Sequence, residues 1–141
     1  MHSTIFYVDD DIDDLDFFKE VTSEINESVS LFERGDKMLH LLNHPPPNPS
    51  VIFLDLNMPI KSGFEILNEI KSSPIASNIP VVILTTSTSP SDISQCKDLG
   101  AKLYIRKPTS IVALKKAISH VLTIDWDHFT PTDKNFFYQP A

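Results

Sequence analysis

Five short runs of β-branched and aromatic residues recur along the chain, at Thr4–Val8, Val29–Phe32, Val51–Leu54, Pro80–Leu84 and Lys102–Ile105. Each has the length of a strand and is too short for a buried helix. The segments between them carry apolar residues at helical spacing instead: Ile12, Leu15, Phe18, Val21 and Ile25, then Phe64, Leu67 and Ile70, then Ile111, Leu114, Ile118, Val121 and Leu122. Punctuation agrees with this division. Ser62-Gly63-Phe64-Glu65 reads as a capping box, Gly100 closes a helix that starts near Ser91, and Ser110 caps the last helix.

Strands that alternate with helices require crossover connections. Right-handed crossovers place helices on both faces of a parallel sheet. The expected fold class is therefore α/β, a doubly wound five-stranded parallel sheet with five helices. Val51–Leu54 is apolar at every position and belongs at the centre of the sheet. At 141 residues with 41% hydrophobic content, the chain has one core's worth of apolar residues and no room for a second folded module. The expected division is a domain over residues 1–124 and a C-terminal tail over 125–141, too short to be an output domain. His44-Pro45-Pro46-Pro47-Asn48-Pro49 is expected to be a stiff polyproline-like surface connection. The aromatic triplet Phe136-Phe137-Tyr138 in the tail is expected to dock on the domain's own surface.

Charge excludes several function classes. A net charge of -7 opposes broad attraction to nucleic acid or anionic lipid. The longest uncharged stretch, Ser72–Ser91, is interrupted by Pro74, Pro80 and Pro90, unlike a membrane span. The start of the chain turns acidic at Asp9 with no basic segment before it, unlike a secretory signal. Cys96 is the single cysteine, so no internal disulfide forms, as suits a reducing cytoplasm. The acids are also unevenly spread: 11 of the 19 lie between Asp9 and Asp36, whereas Lys97, Lys102, Arg106, Lys107, Lys115 and Lys116 are offset only by Asp98.

In an open α/β sheet, ligands bind beyond the carboxyl ends of the strands. Here those positions hold Asp9, Asp10 and Asp11 after the first strand, Asp55 after the third, Thr85 and Thr86 after the fourth, and Lys107-Pro108 after the fifth. Carboxylates held together repel by about 4 kcal/mol per pair at about 4 Å and an effective dielectric near 20, so a cation must join them or some must protonate. Oxygen ligands with room for water suit Mg²⁺. Such an ion beside Lys107 and the Thr85 hydroxyl would complete a phosphoryl site with Asp55 as nucleophile.

With these motifs in this order, Val8-Asp9-Asp10, Asp55-Leu56-Asn57-Met58-Pro59 with Gly63, Thr85, and Leu99-Gly100-Ala101 leading to Tyr104-Ile105-Arg106-Lys107-Pro108, the chain resembles the receiver domains of two-component response regulators. The likeness is to the stand-alone, chemotaxis-regulator-like kind and runs from about Thr4 to Leu122. The resemblance implies a flavodoxin-like sheet of order 2-1-3-4-5. It implies that Asp55 takes a phosphoryl group from a histidine kinase or phosphotransfer protein. Asp10, Asp55 and the backbone carbonyl of Asn57 would hold Mg²⁺, with Asp9 acting mainly through water. Lys107 would pair with the phosphoryl oxygens, Thr85 would hydrogen-bond them, and Tyr104 would swing inward as a switch. The face formed by the fourth helix, fifth strand and fifth helix would then bind an as yet unidentified downstream protein. The chain itself would be a phosphoacceptor rather than an enzyme, a monomer or weak dimer.

Other readings of the same residues are blander. Asp9–Asp16 would serve as a solvated run at a helix N-terminus, Asp55 as a turn cap, Lys107 as a surface lysine and Tyr104 as an edge-strand aromatic. His2, His40, His44, His120 and His128 show no metal-ligand spacing. A receiver-like interaction module that is never phosphorylated is an alternative. So is a Mg²⁺-dependent phosphohydrolase, although Asn57 supplies no proton where such enzymes of the haloacid dehalogenase type place a general acid. A flavodoxin is disfavoured because carboxylates, not a glycine- and hydroxyl-rich loop, follow the first strand. Two positions that tend to set acyl phosphate lifetime in the family are Asn57 and Ser87. Thr86 is bulkier than the family's usual small residue, which predicts slower dephosphorylation than with alanine. Thr109 stands where the family often has an aromatic, which sets the output surface apart from better known members.

Overall fold

The computed structural model describes residues 4–43 and 49–140. Its elements follow in the order β1 (Thr4–Val8), α1 (Ile12–Glu24), β2 (Ser28–Phe32), α2 (Gly35–Leu42), β3 (Val51–Leu54), α3 (Gly63–Ser72), β4 (Val81–Thr85), α4 (Pro90–Asp98), β5 (Leu103–Arg106) and α5 (Ile111–Thr123). A 3-10 turn at Trp126–His128 and a short β6 (Phe137–Tyr138) complete the chain. The sheet runs β2-β1-β3-β4-β5-β6, and every pairing is parallel. The first five strands have the expected order, with β3 in the interior and buried at all four positions.

Strand alternation splits the core into two layers. Phe6 and Val8 of β1 face α2, α3 and α4, where they pack with Met38, Ile66, Leu67 and Cys96. Ile5 and Tyr7 face α1 and α5, with Phe18, Val21, Leu114 and Ile118. The caps form as the sequence predicts: the Ser62 hydroxyl accepts the Glu65 amide at 3.3 Å, and the Ser110 hydroxyl accepts the Ala113 amide at 3.1 Å. Gly100, at φ 104°, ends α4, with its amide on the Lys97 carbonyl and the Ala101 amide on the Cys96 carbonyl. The proline-rich connection over residues 44–48, like His2 and His44, lies outside the described residues.

The expected five-stranded sheet gains a sixth strand from the tail. After α5 the chain crosses back and pairs Phe137 with Tyr104 and Tyr138 with Ile105. The expected docking of the aromatic triplet on the domain's own surface is thus what the structure has. Phe136 and Phe137 pack into the layer of α2–α4, while Tyr138 turns to the α1/α5 layer and stacks on His120 at 4.0 Å. β5 is therefore an interior strand, and Tyr104 is not an edge aromatic.

Candidate functional site

The carboxyl ends of β1, β3, β4 and β5 converge on one acidic pocket. Asp9 follows β1 with no exposure, and Asp55 follows β3 with 3%. Their depth follows from their places at the ends of strands buried on both faces. Asp10 beside them is exposed. One carboxylate oxygen from each of Asp9, Asp10 and Asp55 lies within 4.8 Å of the others, a donor set of hard oxygens that fits a divalent cation. Asp11 takes a different part: it caps α1 by accepting the Asp13 amide at 2.9 Å and that of Asp14 at 3.4 Å. The reading of the acidic run as a helix N-terminus thus holds for Asp11, whereas Asp9 is buried and Asp10 is exposed beside Asp9 and Asp55.

Lys107 reaches into the pocket from the end of β5. Its Nζ sits 2.8 Å from Asp9 Oδ2, 2.8 Å from Asp14 Oδ2 and 3.6 Å from Asp55 Oδ1, with its side chain 14% exposed. Asp9 is fully engaged, since Oδ2 also accepts the Tyr7 hydroxyl and Oδ1 accepts the Asp11 amide at 3.0 Å. Thr85 is wholly buried at the end of β4; its Oγ1 makes no well-formed hydrogen bond among the described residues, yet it lies close enough to Asp55 to favour that carboxylate's charged form. A buried hydroxyl so weakly engaged beside a carboxylate cluster has donor capacity left for a further polar group. Thr86 next to it is exposed, as is Asn57 in the loop after Asp55.

The loop that carries Asp55 is closed by Gly63, whose amide donates to the Leu56 carbonyl at 3.0 Å. A Cβ there would stand 2.3 Å from the Asp55 carbonyl oxygen, so only glycine permits the approach. Burial pushes the Asp55 carboxyl up to about 6 and the Asp9 charge adds to it, while Lys107, the Thr85 hydroxyl and the Leu56 amide oppose both. For Lys107, burial works downward but is outweighed by hydrogen bonds to Asp14 and Asp9, so the ammonium is held charged. Burial, with Asp9 next in weight, raises Tyr7 and keeps its hydroxyl a donor.

Tyr104 lies inside the protein with no exposure, its hydroxyl donating to the Ser87 carbonyl at 2.8 Å. The expected site residues Asp9, Asp10, Asp55, Thr85 and Lys107 thus come together, with Tyr104 three residues before Lys107 on β5. Tyr7 and Asp14 were missed by sequence reasoning. The signal for Tyr7 was its place two residues before Asp9 on the same strand face. Asp14 carried only its position in the first turn of α1.

A doubly wound sheet with an acid triad, a lysine and a hydroxyl at its carboxyl edge defines a receiver-type pocket. The response regulator receiver domain family matches residues 5–119, and the chain belongs to it. Response regulator Rcp1 of Synechocystis is 33% identical over 124 residues, covering 83% of this chain and 84% of that protein. A probable cyclic di-GMP phosphodiesterase of Vibrio cholerae is 34% identical over 115 residues, but the chain spans only 25% of its length. Among solved structures, the phosphorylated cyanobacterial phytochrome response regulator RcpA superposes with a TM-score of 0.79 at 30% identity, covering 93% of this chain and 98% of that one. The Mn²⁺-bound form of Rcp1 superposes at 0.75 with 29% identity, covering 92% and 99%. Among the described residues no helix is long and apolar enough to cross a membrane.

Proposed function

We propose that this chain is a phosphoacceptor in a two-component phosphorelay, taking a phosphoryl group on Asp55 from the phosphohistidine of a histidine kinase or phosphotransfer protein. The observation that carries the reading is the convergence of Asp9, Asp10 and Asp55 oxygens within 4.8 Å, with the Lys107 ammonium 3.6 Å from Asp55. An Asp55 oxygen attacks phosphorus, the histidine N–P bond breaks, and the imidazole nitrogen keeps the electron pair and takes a proton from water. Bound Mg²⁺ would neutralise charge on the transferring group. Asp10, Asp55 and the Asn57 carbonyl would hold it, and Asp9 would act through water because its own oxygens are occupied by Tyr7, Lys107 and the Asp11 amide. Lys107 steadies the phosphoryl oxygens, and the buried Thr85 hydroxyl, which makes no well-formed bond at rest, donates to one of them.

The output is a protein-binding event rather than catalysis or DNA binding, in keeping with the net charge of -7. A cytoplasmic location suits the lone, buried Cys96, whose thiol burial pushes up to about 12 and so leaves unreactive. In the α4–β5–α5 face, Tyr104 is already inward, so the switch includes whatever the tail does there.

The test is intact mass after incubation with phosphoramidate, with and without Mg²⁺, on the native chain and on Asp55→Asn. One added phosphoryl group that needs both Mg²⁺ and Asp55 is expected. A folded protein that takes none while the donor persists would favour the phosphorylation-independent interaction module.

A further inference from the structure

We propose that Asp14 is a positioning residue that holds the Lys107 ammonium back from Asp55 and thereby restrains phosphorylation, an inference that rests on Asp55 being the phosphoacceptor. Lys107 has one positive charge and three carboxylates around it. Two of them, Asp9 and Asp14, take it at 2.8 Å, and Asp55 stands beyond hydrogen-bond reach at 3.6 Å. The two holders differ in what they can release. Asp9 is fully buried and fixed by the Tyr7 hydroxyl and the Asp11 amide, so its geometry is set whatever Lys107 does.

Asp14 is free to yield. Its side chain is 35% exposed in the first turn of α1, so water replaces Lys107 when the pair opens. Its carboxylate therefore acts as an adjustable counterweight, drawing the ammonium toward α1 in the resting protein and giving it up as negative charge builds on Asp55. The pull has a cost for the acyl phosphate, because every share of Lys107 charge kept by Asp14 is withheld from the phosphoryl oxygens. Removing it leaves Lys107 anchored by Asp9 alone, next to the site where the charge develops.

Asp13 provides a charge-matched control, since it lies one residue away on the exposed side of the same turn and its carboxylate makes no bond to Lys107. The probe is beryllofluoride, which occupies the phosphoryl position on a metal-loaded carboxylate, titrated with saturating Mg²⁺ into the full chain and followed by NMR. Asp14→Asn is expected to bind it about three- to tenfold more tightly than wild type, and Asp13→Asn within about twofold of wild type. In the metal-free protein, a thermal-unfolding cycle on Asp14→Asn and Lys107→Gln reads the tie itself and is expected to be non-additive. Unchanged or weaker binding by Asp14→Asn, equal tightening by Asp13→Asn, or an additive cycle would each overturn the proposal. Wild-type protein that binds no beryllofluoride would remove the phosphoacceptor reading along with it, and the metal-free cycle would show whether the Asp14–Lys107 tie survives that failure.

Discussion

The Tyr104 amide donates to the Phe136 carbonyl at 2.9 Å, tying the centre of β5 to a residue 32 positions further along the chain. The contact continues through side chains: the Tyr104 ring lies 6.2 Å from that of Phe136 and stacks on Phe137 at 5.9 Å. Lys97 of α4 meets Asp133 at 2.6 Å on the same side. The tail therefore occupies part of the α4–β5–α5 face and supports the inward Tyr104 that hydrogen-bonds Ser87.

Truncating the aromatic side chain should loosen this arrangement. Phe136 is 2% exposed and sits in the main core layer. Phe136→Ala is expected to destabilise the fold by about 3 kcal/mol through lost burial and the cavity left behind. Hydrogen exchange at the Tyr104 amide should accelerate in the same variant, because the carbonyl it donates to belongs to the released strand. Unchanged melting and unchanged protection would mean the tail is a bystander. The ion pair between Lys97 and Asp133 contributes little, since Asp133 is almost fully exposed.

Gly63→Ala tests the closure of the phosphoacceptor loop. The new methyl would meet backbone, at 2.3 Å from the Asp55 carbonyl oxygen and 2.6 Å from the Leu56 Cα, and backbone cannot rotate away. The expected cost is about 1–3 kcal/mol in unfolding experiments, with slower uptake of phosphate from phosphoramidate as Asp55 shifts. Native stability and native uptake together would show that the loop relaxes freely.

Much of this was legible in the sequence because the signals were strong and local. Val51–Leu54 could only be a central strand, and the residues after each strand could only gather at one edge. β6 was not legible as a strand. Two residues show no period, and Phe137–Tyr138 is held by the edge of β5 and by the ring of His120 rather than by its own propensity. Asp14 was hidden for a related reason: in sequence it is one of six aspartates between Asp9 and Asp16, and only the packing of α1 beside the end of β5 selects it.

Thr86→Ala addresses acyl phosphate lifetime. Thr86 is exposed next to the buried Thr85, and its β-branched side chain is taken to restrict the access of water to a phosphoryl group on Asp55. Replacing it with alanine would ease that access and is expected to speed dephosphorylation severalfold without altering stability by more than about 0.5 kcal/mol. Decay of the phosphorylated species by intact mass is the measurement, and an unchanged rate removes the idea.

Asp55 makes the strongest prediction about pH. Burial, then the charge of Asp9, hold its carboxyl near 6 against the ordinary 3.8, with Lys107 only partly compensating. A carboxyl whose folded value is raised favours the fold in its neutral form, so this stabilisation is complete below about pH 4 and is lost as pH climbs through about 6. At pH 7.5 the metal-free protein carries an ionised Asp55 at a cost of up to about 3 kcal/mol. Asp55→Asn escapes that cost, so in chelator it should be more stable than wild type by about 1–3 kcal/mol at pH 7.5, with the difference vanishing toward pH 4. Adding Mg²⁺ should reverse the order, because a cation held by Asp10, Asp55 and the Asn57 carbonyl would stabilise the native site by mass action while the amide offers a poorer ligand. Urea unfolding of both proteins across this range, with and without Mg²⁺, checks the sign. A metal-free Asp55→Asn less stable than wild type at pH 7.5 would mean that the attraction of Lys107 outweighs the burial of the charge.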